Sequence, residues 1–155
     1  MNTFFKTAIF AVAITMLSAT AIFAQTNGFD IGATNLGGTG LKIIATFPTP
    51  TNLDREIETA KATLTWHDEH GSCGTQTQDG VPTEFPGKFE FGFWTPCVAS
   101  PTSPLYVTYV IEGMNGGKTF GWGTSGTHQV QGYNDVLYIT TWQYQIVTPP
   151  PPPGG

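Results

Sequence analysis

Trp66-His67-Asp68-Glu69-His70 is the densest run of ionisable side chains in the sequence. Two imidazoles and two carboxylates side by side are the residue types of a metal centre or an acid–base pair. Their spacing argues against convergence. Along an extended strand successive side chains point to opposite sides, so His67 and Glu69 share one side while Asp68 and His70 share the other. The run also lacks the helical i, i+4 arrangement by which the histidines of H-E-x-x-H reach one zinc. His128 is the remaining histidine, and a site built from His67, His70 and His128 requires two loops to meet at one end of the fold. The run is expected to be the polar end of a strand entering a turn. Those three histidines stand as the metal-ligand candidates, and no cofactor is expected.

Nucleophilic chemistry has less to stand on. Ser125, His128 and Asp135 lie close together in the sequence, whereas triad members usually converge from distant segments. The stretch GWGTSG is not the G-x-S-x-G elbow. Nothing selects an acid–base pair from the eleven carboxylates, and the glycines lack the spacing of either phosphate-binding motif. The expectation is a chain without catalytic residues.

Aromatic residues carry more information. In KFEFGFW, Phe89, Phe91 and Phe93 alternate with Lys88, Glu90, Gly92 and Trp94, so Trp94 points away from the phenylalanines. Tyr106 lies on PLYVTYVIE, and Trp142 and Tyr144 share a side of the last strand. A face carrying Trp94, Tyr106, Trp142 and Tyr144 suits a sugar ring or a protein partner, because these side chains combine apolar area with a polar handle. The competing reading reverses the sides and packs the same rings into the core.

The elements that would position these residues are strands. Thr, Val, Ile and aromatics abound, and the usual helix formers are scarce. Alternation marks strands at Leu41–Phe47, Ala60–His67, Lys88–Trp94, Leu105–Glu112 and Val136–Val147. The last is long enough to bend or change partner. Shorter candidates are Phe29–Ile31 and Thr119–Trp122. One helical turn is expected in TNLDREIETAK, capped by Thr51 or Asn52. Residues 68–87 and 123–135 read as turn-rich loops, and Asn115-Gly116 as a hairpin turn with positive φ. Six or seven strands without intervening helices predict an all-β fold, an antiparallel β-sandwich, ahead of a closed barrel. The arrangement resembles immunoglobulin-like architecture, but the Cys-x-Trp-x-Cys pattern of antibody domains is absent.

At the N-terminus, residues 1–24 have the layout of a signal peptide: Lys6, an apolar stretch, then small residues ending at Ala24. Residues 25–40 form a Gly/Asn-rich arm, 41–148 the β-sandwich domain, and 149–155 a proline-rich tail suited to a polyproline II rod. Removing Lys6 with the leader leaves 5 basic residues against 11 acidic ones, a net charge of −6. Such a surface repels phosphate backbones and anionic lipid heads. Nucleic acid is therefore excluded as a partner, and so is the membrane once the leader is cleaved. Export to an extracellular or periplasmic space lets Cys73 and Cys97 form a disulfide. Closing that loop stabilises the chain by about 3–4 kcal/mol in the chain-entropy account.

The expected function is a secreted, non-catalytic module that binds an extracellular glycan or protein. Two other classes compete with it. One is a structural subunit that self-associates through its N-terminal arm into a surface layer, fibre or matrix. The other is a secreted hydrolase.

Overall fold

The structure, a computed structural model, describes residues 37–98, 100, 102–149 and 152–154. The leader, the strand expected at Phe29–Ile31 and the arm up to residue 36 lie outside the described residues. The rest is all-β, with nine strands among the described residues and one short 3-10 turn. In chain order they are β1 (Thr39–Thr46), β2 (Thr59–Asp68), β3 (Gly71–Asp79), β4 (Val81–Pro82), β5 (Lys88–Thr95), β6 (Tyr106–Met114), β7 (Gly121–Gln129), β8 (Asn134–Ile139) and β9 (Tyr144–Ile146). They form a four-stranded sheet ordered β4-β5-β1-β8 and a five-stranded sheet ordered β3-β2-β6-β7-β9.

Period-2 patterning places the core. Leu41, Ile43 and Ala45 of β1 and Phe89, Phe91 and Phe93 of β5 line the inner face of the smaller sheet. Ala62, Leu64 and Trp66 of β2 and Val107 and Ile111 of β6 line the larger one, and each of these side chains is at most 2% exposed. The alternating positions face outwards, where Lys42 pairs with Glu90 at 2.9 Å.

Several parts of the fold differ from the sequence expectation. Residues 68–87 are not a loop through most of their length: they contain β3 and β4. β3 is an edge strand with polar residues on both sides, so it carries no apolar alternation. Its Thr75 and Thr77 instead bond hydroxyl to hydroxyl with Thr65 and Thr63, at 2.8 and 3.0 Å. β7 likewise runs through GTSGTHQ, read as a loop because of its glycines. Those glycines are required by close approach: a Cβ at Gly123 would overlap the Tyr144 ring, and one at Gly126 the Tyr109 ring. In the β6–β7 hairpin the positive φ falls on Lys118 (54°) rather than on Gly116. Asn115 replaces the expected turn geometry with side-chain bonds, its carbonyl oxygen accepting from the Thr119 and Phe120 amides.

The segment expected as one strand over Val136–Val147 serves both sheets. β8 pairs parallel with β1, the one parallel pairing among the described strands, and β9 pairs antiparallel with β7. Between them the chain crosses from one sheet to the other. Trp142 lies in this crossing, stacked on Phe47 with ring centroids 4.0 Å apart, and its Nε1 donates to the Thr46 carbonyl at 3.0 Å. His128 and Asp135 also link the sheets on this side, at 2.7 Å. On the opposite side Gln76 of β3 accepts from Trp66 Nε1 (3.2 Å) and donates to the Trp94 carbonyl (2.7 Å). The Cys73–Cys97 disulfide joins β3 to the residues just after β5.

Replacing Trp142 with alanine removes both the stack and the bond that close the crossing. Equilibrium urea unfolding should show Trp142→Ala destabilised by about 3 kcal/mol, the range of large-to-small aromatic truncations, discounted for partial exposure. A loss below about 1 kcal/mol would mean that the crossing closes without it.

Candidate functional site

A cleft of about 420 Å³ opens at one end of the two sheets. Three segments far apart in sequence build it. The first is the 3-10 turn Leu53–Arg55. Asn52 starts this turn: its side-chain oxygen accepts from the Asp54 amide and its carbonyl from the Arg55 amide, both at 3.1 Å. The second is the β6–β7 hairpin, anchored to the turn because Asn115 Nδ2 donates to the Asp54 carbonyl at 3.1 Å. The third is β9 and the residue after it.

Asn52, Asp54 and Arg55 line the cleft from the turn, Thr119 and Phe120 from the hairpin, and Gln145 and Val147 from the β9 segment. The Arg55 guanidinium lies 5.6 Å from the centre of the Phe120 ring, a cation–π contact. Phe120 is in turn held edge-on by Trp122, at 5.8 Å and 89°. The arrangement offers a guanidinium, a carboxylate, two amides, a hydroxyl and one aromatic ring around an open hollow. That donor and acceptor set can hold a polyol by paired hydrogen bonds while the ring covers an apolar C–H face. None of these seven residues stands in a motif. Asn52 entered the sequence reading as a cap alone, and only the hairpin and β9 register bring the rest together.

The residues singled out in the sequence fall elsewhere. Trp94 is half-buried on the outer face of the smaller sheet, packed over the backbone at Gly38. Tyr106 lies on the outer face of the larger sheet, directly across from His67. Tyr144 also lies on that sheet, its ring over Gly123, and Trp142 sits in the crossing. The structure therefore does not bring these four rings onto one face. Of the four, Trp94 is the one on the smaller sheet, and Trp142 is half-buried against the core.

The histidines also stay apart. His67 is on the outer face of β2 with its Nε2 3.0 Å from the Thr108 hydroxyl. His128 pairs in register with the buried Val107, so it points between the sheets, towards Asp135. His70 is exposed in the β2–β3 turn, its amide donating to Asp68 Oδ1 at 2.8 Å. His128 and Asp135 are in contact, but Ser125 lies on the other face of β7 with its hydroxyl directed to Gln143 at 3.4 Å, so no triad is assembled. Asp68 instead comes together with Cys73 and Cys97.

Comparison with protein-family models, with curated proteins and with solved structures gives no match. Among the described residues, no helix is long and apolar enough to cross a membrane.

Two tyrosines have perturbed ionisation. Burial pushes Tyr109 above the ordinary phenol value of 10.0. Burial also raises Tyr144, and the neighbouring Glu112 carboxylate adds to the effect. Since the folded state disfavours the phenolates, their stabilising contribution is intact below pH 10 and is lost as pH rises through the folded values. Urea midpoints should therefore fall as pH is raised above 10, and the fall should shrink in Tyr109→Phe and Tyr144→Phe. An unchanged alkaline limb in both variants would remove this assignment.

Proposed function

We propose that the chain is an exported, non-catalytic module of immunoglobulin-like sandwich architecture that binds an extracellular glycan in the cleft between the 3-10 turn, the β6–β7 hairpin and β9. The observation that carries the reading is the Arg55–Phe120 contact at the cleft wall, flanked by the planar polar groups of Asn52, Asp54 and Gln145. A sugar presents hydroxyls that donate and accept and a C–H face that packs on an aromatic ring, and the cleft carries the counterpart of each. Asp54 is the one carboxylate lining it among the described residues. Glycoside hydrolysis uses two carboxyl groups flanking the bond, which favours binding over turnover. Export is supported by the layout of the leader and by the disulfide.

A second reading, self-assembly, has one observation in its favour. β8 is an edge of the smaller sheet without lysine or proline, and its Val136 and Tyr138 are 41% and 67% exposed. Such an edge can receive a strand from another copy.

Calorimetric titration of residues 25–155 with a panel of neutral and acidic oligosaccharides tests the leading reading. Binding of at least one class is expected. Phe120→Ala and Arg55→Ala should each weaken it tenfold or more, about 1.4 kcal/mol, with circular dichroism showing both variants still folded. Absence of binding across the panel, or full affinity in both variants, overturns the glycan reading. For the second reading, size-exclusion chromatography should show an oligomer that Tyr138→Lys converts to monomer; a monomeric parent removes it.

A further inference from the structure

Register places Asp68, Cys73 and Cys97 at the end of β2 opposite the cleft. One carboxylate oxygen and the two Sγ atoms lie within 4.8 Å of one another, and all three residues are half-buried. In the structure the sulfurs are bonded to each other. A disulfide has no proton to donate, so it offers a neighbouring carboxylate no hydrogen bond. Two thiolates beside a carboxylate are, by contrast, three of the four ligands of a tetrahedral zinc site.

We propose that reduction of the Cys73–Cys97 bond converts this end of the chain into a zinc site formed by both thiolates and the Asp68 carboxylate. The same end then holds either a disulfide or a metal, never both. The fourth position falls to His70 or to water. The His70 side chain is 80% exposed and its Nδ1 lies 3.9 Å from Asp68 Oδ1, beside the carboxylate, so a ring movement would have to carry it to the metal and water holds the position otherwise. His67 and His128 take no part, being engaged with Thr108 and Asp135. Gly71 and Gly74 flank Cys73 with φ of 126° and 117°. These values lie in the region that favours glycine, so the short turn follows a path that side chains would resist.

The chemistry balances with a dithiol as reductant. Its thiolate attacks one sulfur, the Cys73–Cys97 bond breaks, and a mixed disulfide forms. The reductant's second thiol then closes its own disulfide and releases both cysteines as thiols. Zinc binding displaces the two thiol protons to solvent, so affinity falls as pH is lowered. The site is separate from the cleft and stands or falls independently of glycan binding.

Residues 25–155, reduced with a phosphine under argon and desalted, should retain one equivalent of zinc through gel filtration. With cobalt(II) as the probe, a thiolate-to-metal charge-transfer band should appear. Asp68→Asn should bind at least tenfold more weakly, and the oxidised protein should retain no zinc. Should reduction unfold the chain, circular dichroism with and without zinc decides: strand signal restored by one equivalent supports the site, and failure to restore it counts against it. Unchanged affinity in Asp68→Asn, no stoichiometric zinc on the reduced chain, or equal binding by the oxidised protein each overturns the proposal.

Discussion

The flat contact of Trp142 on Phe47 closes the point on which the two-sheet arrangement turns. A two-layer β fold must keep its layers in contact while each strand hydrogen-bonds within its own layer. Here one continuous segment joins both layers, β8 in one and β9 in the other, and the indole fills the gap where it crosses. The Trp142 N–H reaches the Thr46 carbonyl at the end of β1, which gives the crossing a polar tie as well as an apolar one. Along the far side Gln76 performs the corresponding task, taking the Trp66 N–H of one sheet and supplying the Trp94 carbonyl of the other. A buried indole N–H without such a partner would be costly. Gln76 thus satisfies a core residue and joins the sheets at once.

The site depends on the same crossing. Because β9 lies against β7, Gln145 and Val147 end up beside the hairpin that carries Thr119 and Phe120. Asn115 then holds the 3-10 turn against that hairpin through Asp54. Neither the turn nor the hairpin forms a hollow alone. The cleft is a product of where the last strand goes, and its chemistry is set by the few side chains that happen to end each element there.

Much of the fold was legible in the residues. Alternating apolar positions located β1, β2, β5 and β6, since each has one face in the core and one in water. The signal failed where that physics does not apply. β3 is an edge strand with polar residues on both sides, and β7 uses glycine to admit tyrosine rings; neither writes an alternating pattern. The site was less legible still. Phe120 and Arg55 are separated by most of the domain, and nothing in either neighbourhood announces the other. Asp68 was visible as part of a charged run, but its approach to Cys97 follows from the pairing of β2 with β3 and from the disulfide, which no spacing rule supplies.

The parallel pairing of β1 with β8 also has a mechanical consequence. Tension applied along the chain enters β1 at Thr39 and leaves beyond Ile139, at opposite ends of two strands that run the same way. β9, with three residues, would peel from its neighbour one bond at a time. The six residue pairs between β1 and β8 would instead be loaded in shear, all sharing the load together. A protein tethered at both ends would therefore give up its last short strand readily and resist strongly thereafter.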